Sequence, residues 1–193
     1  VLEADGGTRT ASITGAFVAL VCAVDKLVKD KRLLISPIRH QVAAVSCGIV
    51  DDTPCLDLCY QEDSHAQVDM NFVMNDQGNF IEMQGTGEGR AFTPQELQIL
   101  MEYGRKGIAG LMQAQRDALG ERAAHIAPKP LLVAATGNEH KLRELRQIFG
   151  DMYTIVGMSS AGFSSGIDET ATTFAGNAAI KAEAVCKATG LPT

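Results

Sequence analysis

Gly6-Gly7-Thr8-Arg9 is the first run in the chain whose residue types can do chemistry. It stands at the mouth of a stretch with helical periodicity. The first N–H groups of a helix have no intrahelical acceptor, and the helix dipole favours negative charge there. Glycine lets the backbone approach an anion closely, Thr8 adds a hydroxyl donor, and Arg9 adds a guanidinium that can grip two oxygens. Taken alone, these residues read equally as a phosphate loop and as a helix start with a solvated arginine.

A second run, Glu62-Asp63-Ser64-His65-Ala66-Gln67-Val68-Asp69, sets two aspartates six positions apart around a short turn into a strand. Oxygen-only clusters of this kind suit Mg²⁺, which takes one or two carboxylates and keeps most of its waters. The plain alternative is a solvated acidic turn. Asp69 argues against it, because it sits in the apolar run Val68–Met74 on the face opposite Met70 and Phe72, where a carboxylate needs a partner.

A third run, from Leu132 to Lys141, reads as strand, turn and helix. Thr136, Gly137 and Asn138 form the turn, Glu139 and His140 open the helix, and Lys141 places a point charge one turn in; together they can cradle phosphates. Asn and Gly favour turns in any case. Gly85-Thr86-Gly87-Glu88-Gly89 is glycine-rich but leads into no immediate helix, so it reads as a turn or bulge. His65 reads as an exposed histidine in a polar turn. Cys55 and Cys59 lack partners at zinc-site spacing, and the five cysteines, an odd number with no Cys-x-x-Cys pair, read as reduced thiols of a cytoplasmic protein.

The elements that must position these residues follow from periodicity. Thr10–Lys29 repeats apolar residues at helical spacing. Val42–Val50 is a continuous apolar run, read as a buried strand, with Cys55–Leu58 its partner across Asp51-Asp52-Thr53-Pro54. Val68–Met74 alternates, Asp76-Gln77-Gly78-Asn79 is a hairpin turn, and Phe80–Gln84 returns. Thr93-Pro94-Gln95-Glu96 is a helix start with a capping box, and that helix runs to about Leu119. Residues 120–130 read as a connection, with the linker proper at 127–130. Beyond it come a strand at Leu131–Ala135, a helix at Glu139–Phe149, a strand at Tyr153–Val156, a Gly/Ser-rich loop and a helix at Phe174–Thr189. The chain therefore reads as two α/β pieces, 1–126 and 131–193.

Composition narrows the classes. Of 193 residues, 46% are hydrophobic, and the formal net charge is −6. Residues 1–126 hold 11 Lys and Arg against 17 Asp and Glu, and residues 127–193 hold 6 of each. That balance argues against a large basic nucleic-acid surface within this chain. No unbroken apolar run approaches the roughly 20 residues needed to span a bilayer, so no membrane association is expected.

The motif segments resemble two families. Glu3 to Ala16, Leu56 to Ser64 continued by Val68-Asp69-Met70-Asn71, and Ile81 to Glu88 are similar, in order, to segments of ribonuclease PH, over roughly the C-terminal half of such an enzyme. The resemblance implies a ribosomal-S5-domain-2-like α/β (α+β) lobe and phosphorolysis. Inorganic phosphate would attack the last 3′ phosphodiester of tRNA precursors or other RNA and release a nucleoside diphosphate. It further implies that Gly7, Thr8 and Arg9 hold the phosphate, that Asp63 and Asp69 are catalytic residues holding Mg²⁺, and that subunits assemble into a hexameric ring in the cytoplasm. Thr136-Gly137-Asn138-x-x-Lys141-x-x-Glu144-Leu145, with Asp168-Glu169-Thr170, Thr173 to Ala178 and Lys181-Ala182, resembles the inosine triphosphate pyrophosphatase family, over the first part of its α/β domain. This second resemblance implies that residues 136–141, Asn177 and Lys181 contact a purine nucleoside triphosphate, and that Glu169 helps to place Mg²⁺. The family's catalytic Asp falls beyond Thr193, so no pyrophosphatase turnover is expected from these residues.

Overall fold

The computed structural model describes residues 3–193. Helix α1 (Thr8–Lys29) begins two residues earlier than the apolar periodicity suggests. Gly7 makes that possible: its φ of 64° is left-handed, a conformation that glycine adopts without penalty. Ala11 then donates to the Gly7 carbonyl at 2.9 Å, the first helical hydrogen bond. Thr8 is therefore the first residue of the helix rather than part of its approach.

Four strands form an antiparallel sheet in the order β2-β1-β3-β4, with β1 at Val42–Val50, β2 at Thr53–Leu56, β3 at Val68–Asn75 and β4 at Phe80–Gly87. β2 lies two residues earlier than expected, because Asp51 and Asp52 both take positive φ and close the turn sooner. β4 runs on through Gly85-Thr86-Gly87, so the first three residues of the glycine-rich segment read as a turn or bulge are strand, and Glu88 and Gly89 bend after it. A short helix, α2 (Tyr60–Asp63), bridges β2 and β3.

The two faces of the sheet differ. One carries Val45, Cys47, Met70, Phe72 and Met74 against α3 (Pro94–Leu119), whose Leu100, Ile108 and Met112 complete the main core. Gly104 of α3 lies so close to the sheet that a Cβ there would meet the Phe72 ring at 2.6 Å. The N-terminus of α3 has the expected cap: Thr93 accepts from the Glu96 N–H, and Glu96 accepts from the Thr93 N–H at 2.7 Å. A 3-10 turn, Gly120–His125, follows within the segment read as a connection.

The other face is crossed by α1, with Phe17, Val21 and Val24 buried. By length and composition α1 would suffice to cross a membrane, with a mean hydropathy of 1.8 over its most apolar window. The helix is not an unbroken apolar run, since Arg9, Asp25, Lys26 and Lys29 lie within it. The helix nevertheless pairs with the sheet: the Ala44 N–H donates to the Thr14 hydroxyl at 3.0 Å. Asp25, near its C-terminal end, is buried and pairs with Lys29 at 2.7 Å and His125 at 3.0 Å.

The chain divides into two units: the segment up to Lys29 with Pro37–Ala127, and Asp30–Ser36 with Pro128–Thr193. In the second unit β5 (Leu131–Ala134) and β6 (Thr154–Gly157) pair in parallel, with α4 (Glu139–Phe149) between them and α5 (Phe174–Thr189) after them. Asn138 caps α4 by accepting from the His140 N–H at 2.9 Å, and Thr173 caps α5 by accepting from the Gly176 N–H at 3.0 Å. The mixed α/β class expected from the sequence is the one observed.

Candidate functional sites

In the first unit, the antiparallel ladders place the candidate residues in rows. Ser46, Asn71 and Gln84 lie side by side across β1, β3 and β4; Gly48, Asp69 and Thr86 form the next row on the same face. Successive same-face rows along a strand are about 7 Å apart. The Gly7 loop rests on the first row: a Cβ on Gly7 would come within 3.0 Å of the Ser46 hydroxyl. Arg9 reaches the far end of that row, donating from Nη1 to the Gln84 side-chain oxygen at 3.2 Å. Asp69 is thus one row away from the floor under the loop.

The loop is also tied to the segment that carries Asp63. Asp5 Oδ1 accepts from the Gly6 N–H at 2.9 Å and from the Tyr60 N–H at 2.5 Å. Gly6 lies flat on the backbone of Leu58 and Cys59, where a Cβ would collide with the Leu58 carbonyl oxygen. The Tyr60 N–H, with that of Gly6, holds the Asp5 carboxyl below its ordinary value. Thr8 turns its hydroxyl back onto the Asp5 carbonyl at 3.0 Å. What faces outward at this helix start is then chiefly backbone: the N–H groups of the first turn, which helix geometry leaves without intrahelical acceptors.

Asp63 is half-buried at the end of α2, and Asp69 is half-buried in β3. The Asp69 carboxyl is pushed above its ordinary value, first by desolvation and then by the negative charges of Asp63 and Glu88; the Met70 N–H acts the other way. Among the described residues no Lys or Arg forms an ion pair with Asp63 or Asp69. A half-buried carboxylate whose ionised form is disfavoured by burial and by a neighbouring carboxylate, with no cationic partner for either, fits a divalent cation. Among the described residues no three His, Cys, Asp or Glu side chains converge as a metal site, so the protein offers a pair. Mg²⁺ accepts a pair, keeping waters in its other positions. His65 is exposed and bonds the Gln61 carbonyl at 2.9 Å.

The sequence reading missed three participants here. Glu82 grips the Arg9 guanidinium, with Nη2 donating to its two oxygens at 2.5 and 2.7 Å. Gln84 adds the contact above, and Glu88 adds charge beside Asp69. All three lie in the third motif segment, but alternation alone does not tell which of them face the loop.

In the second unit a cleft of about 640 Å³ is lined by Thr136, Lys141, Glu169, Asn177 and Lys181, with apolar walls from Leu145 and Phe149. Thr136 Oγ1 accepts from the Asn138 N–H at 3.1 Å, so the turn is braced by the side chains expected to meet a ligand. Asn177 Oδ1 accepts from the Ala171 N–H at 2.8 Å, and Lys181 pairs with Glu169 at 2.5 Å. Asn177 thus fixes the loop before α5, and the expected metal-placing carboxylate is already neutralised by an expected ligand contact. Gly137 is open apart from the Met158 methyl at 3.8 Å. Glu139 and His140 are exposed on the first turn of α4, with His140 3.3 Å from Glu144.

Comparison with known proteins separates the two units. The model of the 3′ exoribonuclease family, domain 2, matches residues 40–107, and that of the Ham1 family matches residues 132–193. Among solved structures, rice (Oryza sativa) Rrp46 is similar at 19% identity and a TM-score of 0.48, over 60% of this chain and 49% of that one. An archaeal exosome core matches at 19% identity and a TM-score of 0.37, over 42% of this chain and 32% of that one. The Archaeoglobus fulgidus exosome with RNA bound to the active site matches at 19% identity and 0.36, over 40% and 30%. The chain spans half or less of the length of each of these structures. The chain is thus similar to two families in separate segments, residues 40–107 to domain 2 of the 3′ exoribonuclease family and residues 132–193 to the Ham1 family.

Proposed function

We propose that the first unit carries the phosphate-binding and metal-binding part of a phosphorolytic 3′-to-5′ exoribonuclease acting on tRNA 3′ ends and other RNA. The observation that carries this reading is the arrangement of rows: Gly7 and Arg9 rest on Ser46–Asn71–Gln84, and Asp69 stands in the adjoining row on the same face. A phosphate nucleophile and a phosphodiester are both anions, so catalysis here consists of holding them together and offsetting their charge. The N–H groups of Gly7 and Thr8 and the Arg9 guanidinium orient the phosphate. Asp63 and Asp69 hold Mg²⁺, which when bound offsets the charge of the reacting phosphoryl group. Burial and the nearby charges of Asp63 and Glu88 dispose Asp69 to hold a proton. The acidic balance of the chain leaves most of the RNA surface to other subunits of a ring, with a hexamer the expected form and the cytoplasm the expected compartment.

The test is release of nucleoside diphosphate from an RNA with a free 3′ hydroxyl as inorganic phosphate is varied. Arg9→Ala raises the phosphate concentration needed for half-maximal release while RNA binding is kept. An unchanged phosphate requirement would rule the loop out as the phosphate site.

For the second unit, the 640 Å³ cleft supports binding of a purine nucleoside triphosphate, with Mg²⁺ assisted by Glu169. The Glu169–Lys181 pair must open for that. After Glu169 the only acidic residue in the sequence is Glu183. It is exposed on α5 beside Lys187 and is poorly placed to activate a water. Binding without hydrolysis is therefore the expected behaviour of residues 131–193. Pyrophosphate release from inosine triphosphate with Mg²⁺ reads hydrolysis, and robust release would show that the acidic group has been misassigned.

A further inference from the structure

We infer that Glu82 and Gln84 are positioning residues for phosphate: they hold the Arg9 guanidinium in the orientation in which it meets the anion. The inference rests on the phosphate-loop reading above and adds to it the device that fixes the arginine.

A free arginine on the first turn of a helix has several rotatable bonds and sweeps a wide volume. Here its far end is held at two points. Nη2 donates to both oxygens of Glu82 and Nη1 donates to the oxygen of Gln84. The two acceptors come from neighbouring rows of the sheet face, since Glu82 pairs with Val73 and Gln84 with Asn71. Two contacts at different nitrogens set both the place and the plane of a guanidinium, and leave the Nε–H and one Nη1 N–H for a ligand.

The sheet is built to present these two side chains. Between the Val73↔Glu82 and Met74↔Phe80 pairings the β3–β4 register shifts by one residue, with Ile81 as the extra residue. Such a bulge re-aims the side chains that follow it. Without the shift, Glu82 would share the α3 face with Phe80; with it, Glu82, Gln84 and Thr86 turn to the face that carries Asn71 and Asp69. Arg9 and Glu82 are both about half exposed, 49% and 43% by side chain. A pair that wet contributes little to stability. Its consequence is orientation, so its loss should appear in ligand binding and leave folding nearly unchanged.

The experiment titrates the full chain with inorganic phosphate, following the Gly7 and Thr8 amide resonances, in the wild type and in Glu82→Ala, Glu82→Gln, Gln84→Ala, Arg9→Ala and the Arg9→Ala/Glu82→Ala double variant, with thermal midpoints alongside. Glu82→Ala weakens phosphate binding several-fold at an unchanged midpoint. Gln84→Ala weakens it less, and Glu82→Gln, which keeps an acceptor oxygen, falls between Glu82→Ala and the wild type. The double variant binds no worse than Arg9→Ala alone, because Glu82 acts only through Arg9. Tighter binding by Glu82→Ala would overturn the inference, since Glu82 would then be a competitor for the guanidinium. Additive losses in the double variant would overturn it too. If Arg9→Ala leaves binding unchanged, or no form binds phosphate at the loop, the loop reading itself fails and takes the inference with it.

Discussion

Asp69 is a residue whose ionised form works against the stability of the fold. Its carboxyl is raised by desolvation first, so the folded state resists its ionisation. A carboxyl raised on folding adds stability that is present below its unfolded value and is lost as pH rises through its folded value. Asp69→Asn therefore raises the urea midpoint near neutral pH, with the gain fading below about pH 4. Added Mg²⁺ raises the wild-type midpoint by mass action and leaves the variant where it was. A variant that is less stable at neutral pH, or equally responsive to Mg²⁺, would make Asp69 a structural residue. Glu96 has the opposite sign. Arg90 and the Thr93 N–H draw its carboxyl down from 4.5 to about 2. Its contribution is full above pH 4.5 and is lost as pH falls towards 2, so Glu96→Gln flattens the acid side of the stability profile in that window. At this scale the sequence identified the residues whose role is local, such as the Thr93–Glu96 cap. It did not show Glu82 as the partner of Arg9, because the two are 73 positions apart and meet only through the sheet.

Among the elements, α3 separates helix propensity from close contact. Gly104 and Gly110 both lie within it, and alanine is better than glycine in a helix interior by about 1 kcal/mol. At Gly110 nothing lies within 4 Å of an added Cβ. Gly110→Ala should therefore stabilise by about 0.5–1 kcal/mol in denaturant unfolding. At Gly104 the added methyl meets the Phe72 ring at 2.6 Å. Overpacking there costs about 1–3 kcal/mol, which outweighs the propensity gain, so Gly104→Ala should destabilise. Equal effects at the two sites would mean that the helix sits farther from the sheet than described. Periodicity and caps made α3, α4 and α5 readable from the sequence, since a capped helix is determined by residues near one another in the chain. The ends of β2 and β4 were not readable: one depends on two left-handed aspartates, the other on pairing that carries a glycine-rich run along as strand.

For the whole molecule the two units differ in what they bury. Of the buried apolar side chains, only Val133, Leu142, Ile155 and Val185 belong to residues 128–193, while Ile148, Met152 and Phe174 there are exposed. Local opening is governed by such burial. Amide hydrogen exchange should therefore show strong protection in β1, β3 and α3 and weak protection throughout β5, β6, α4 and α5. Equal protection in the two would show that the second unit is stabilised by something other than its own core. Bound inosine triphosphate should slow exchange at α4 and leave the first unit unchanged.

The sequence by itself determined the order of the elements and the mixed α/β class, and it nominated the residues proposed for phosphate and metal chemistry. Each of these depends on residue type, on short-range periodicity or on caps and turns that act within a few positions. Only the tertiary structure decided that Gly7 and Arg9 share a row with Asn71, that Asp69 stands one row away, and that a one-residue shift at Ile81 turns Glu82 towards Arg9. These are consequences of strand register, and a register slip of one residue moves every side chain to the opposite face without changing the local pattern that a sequence reveals.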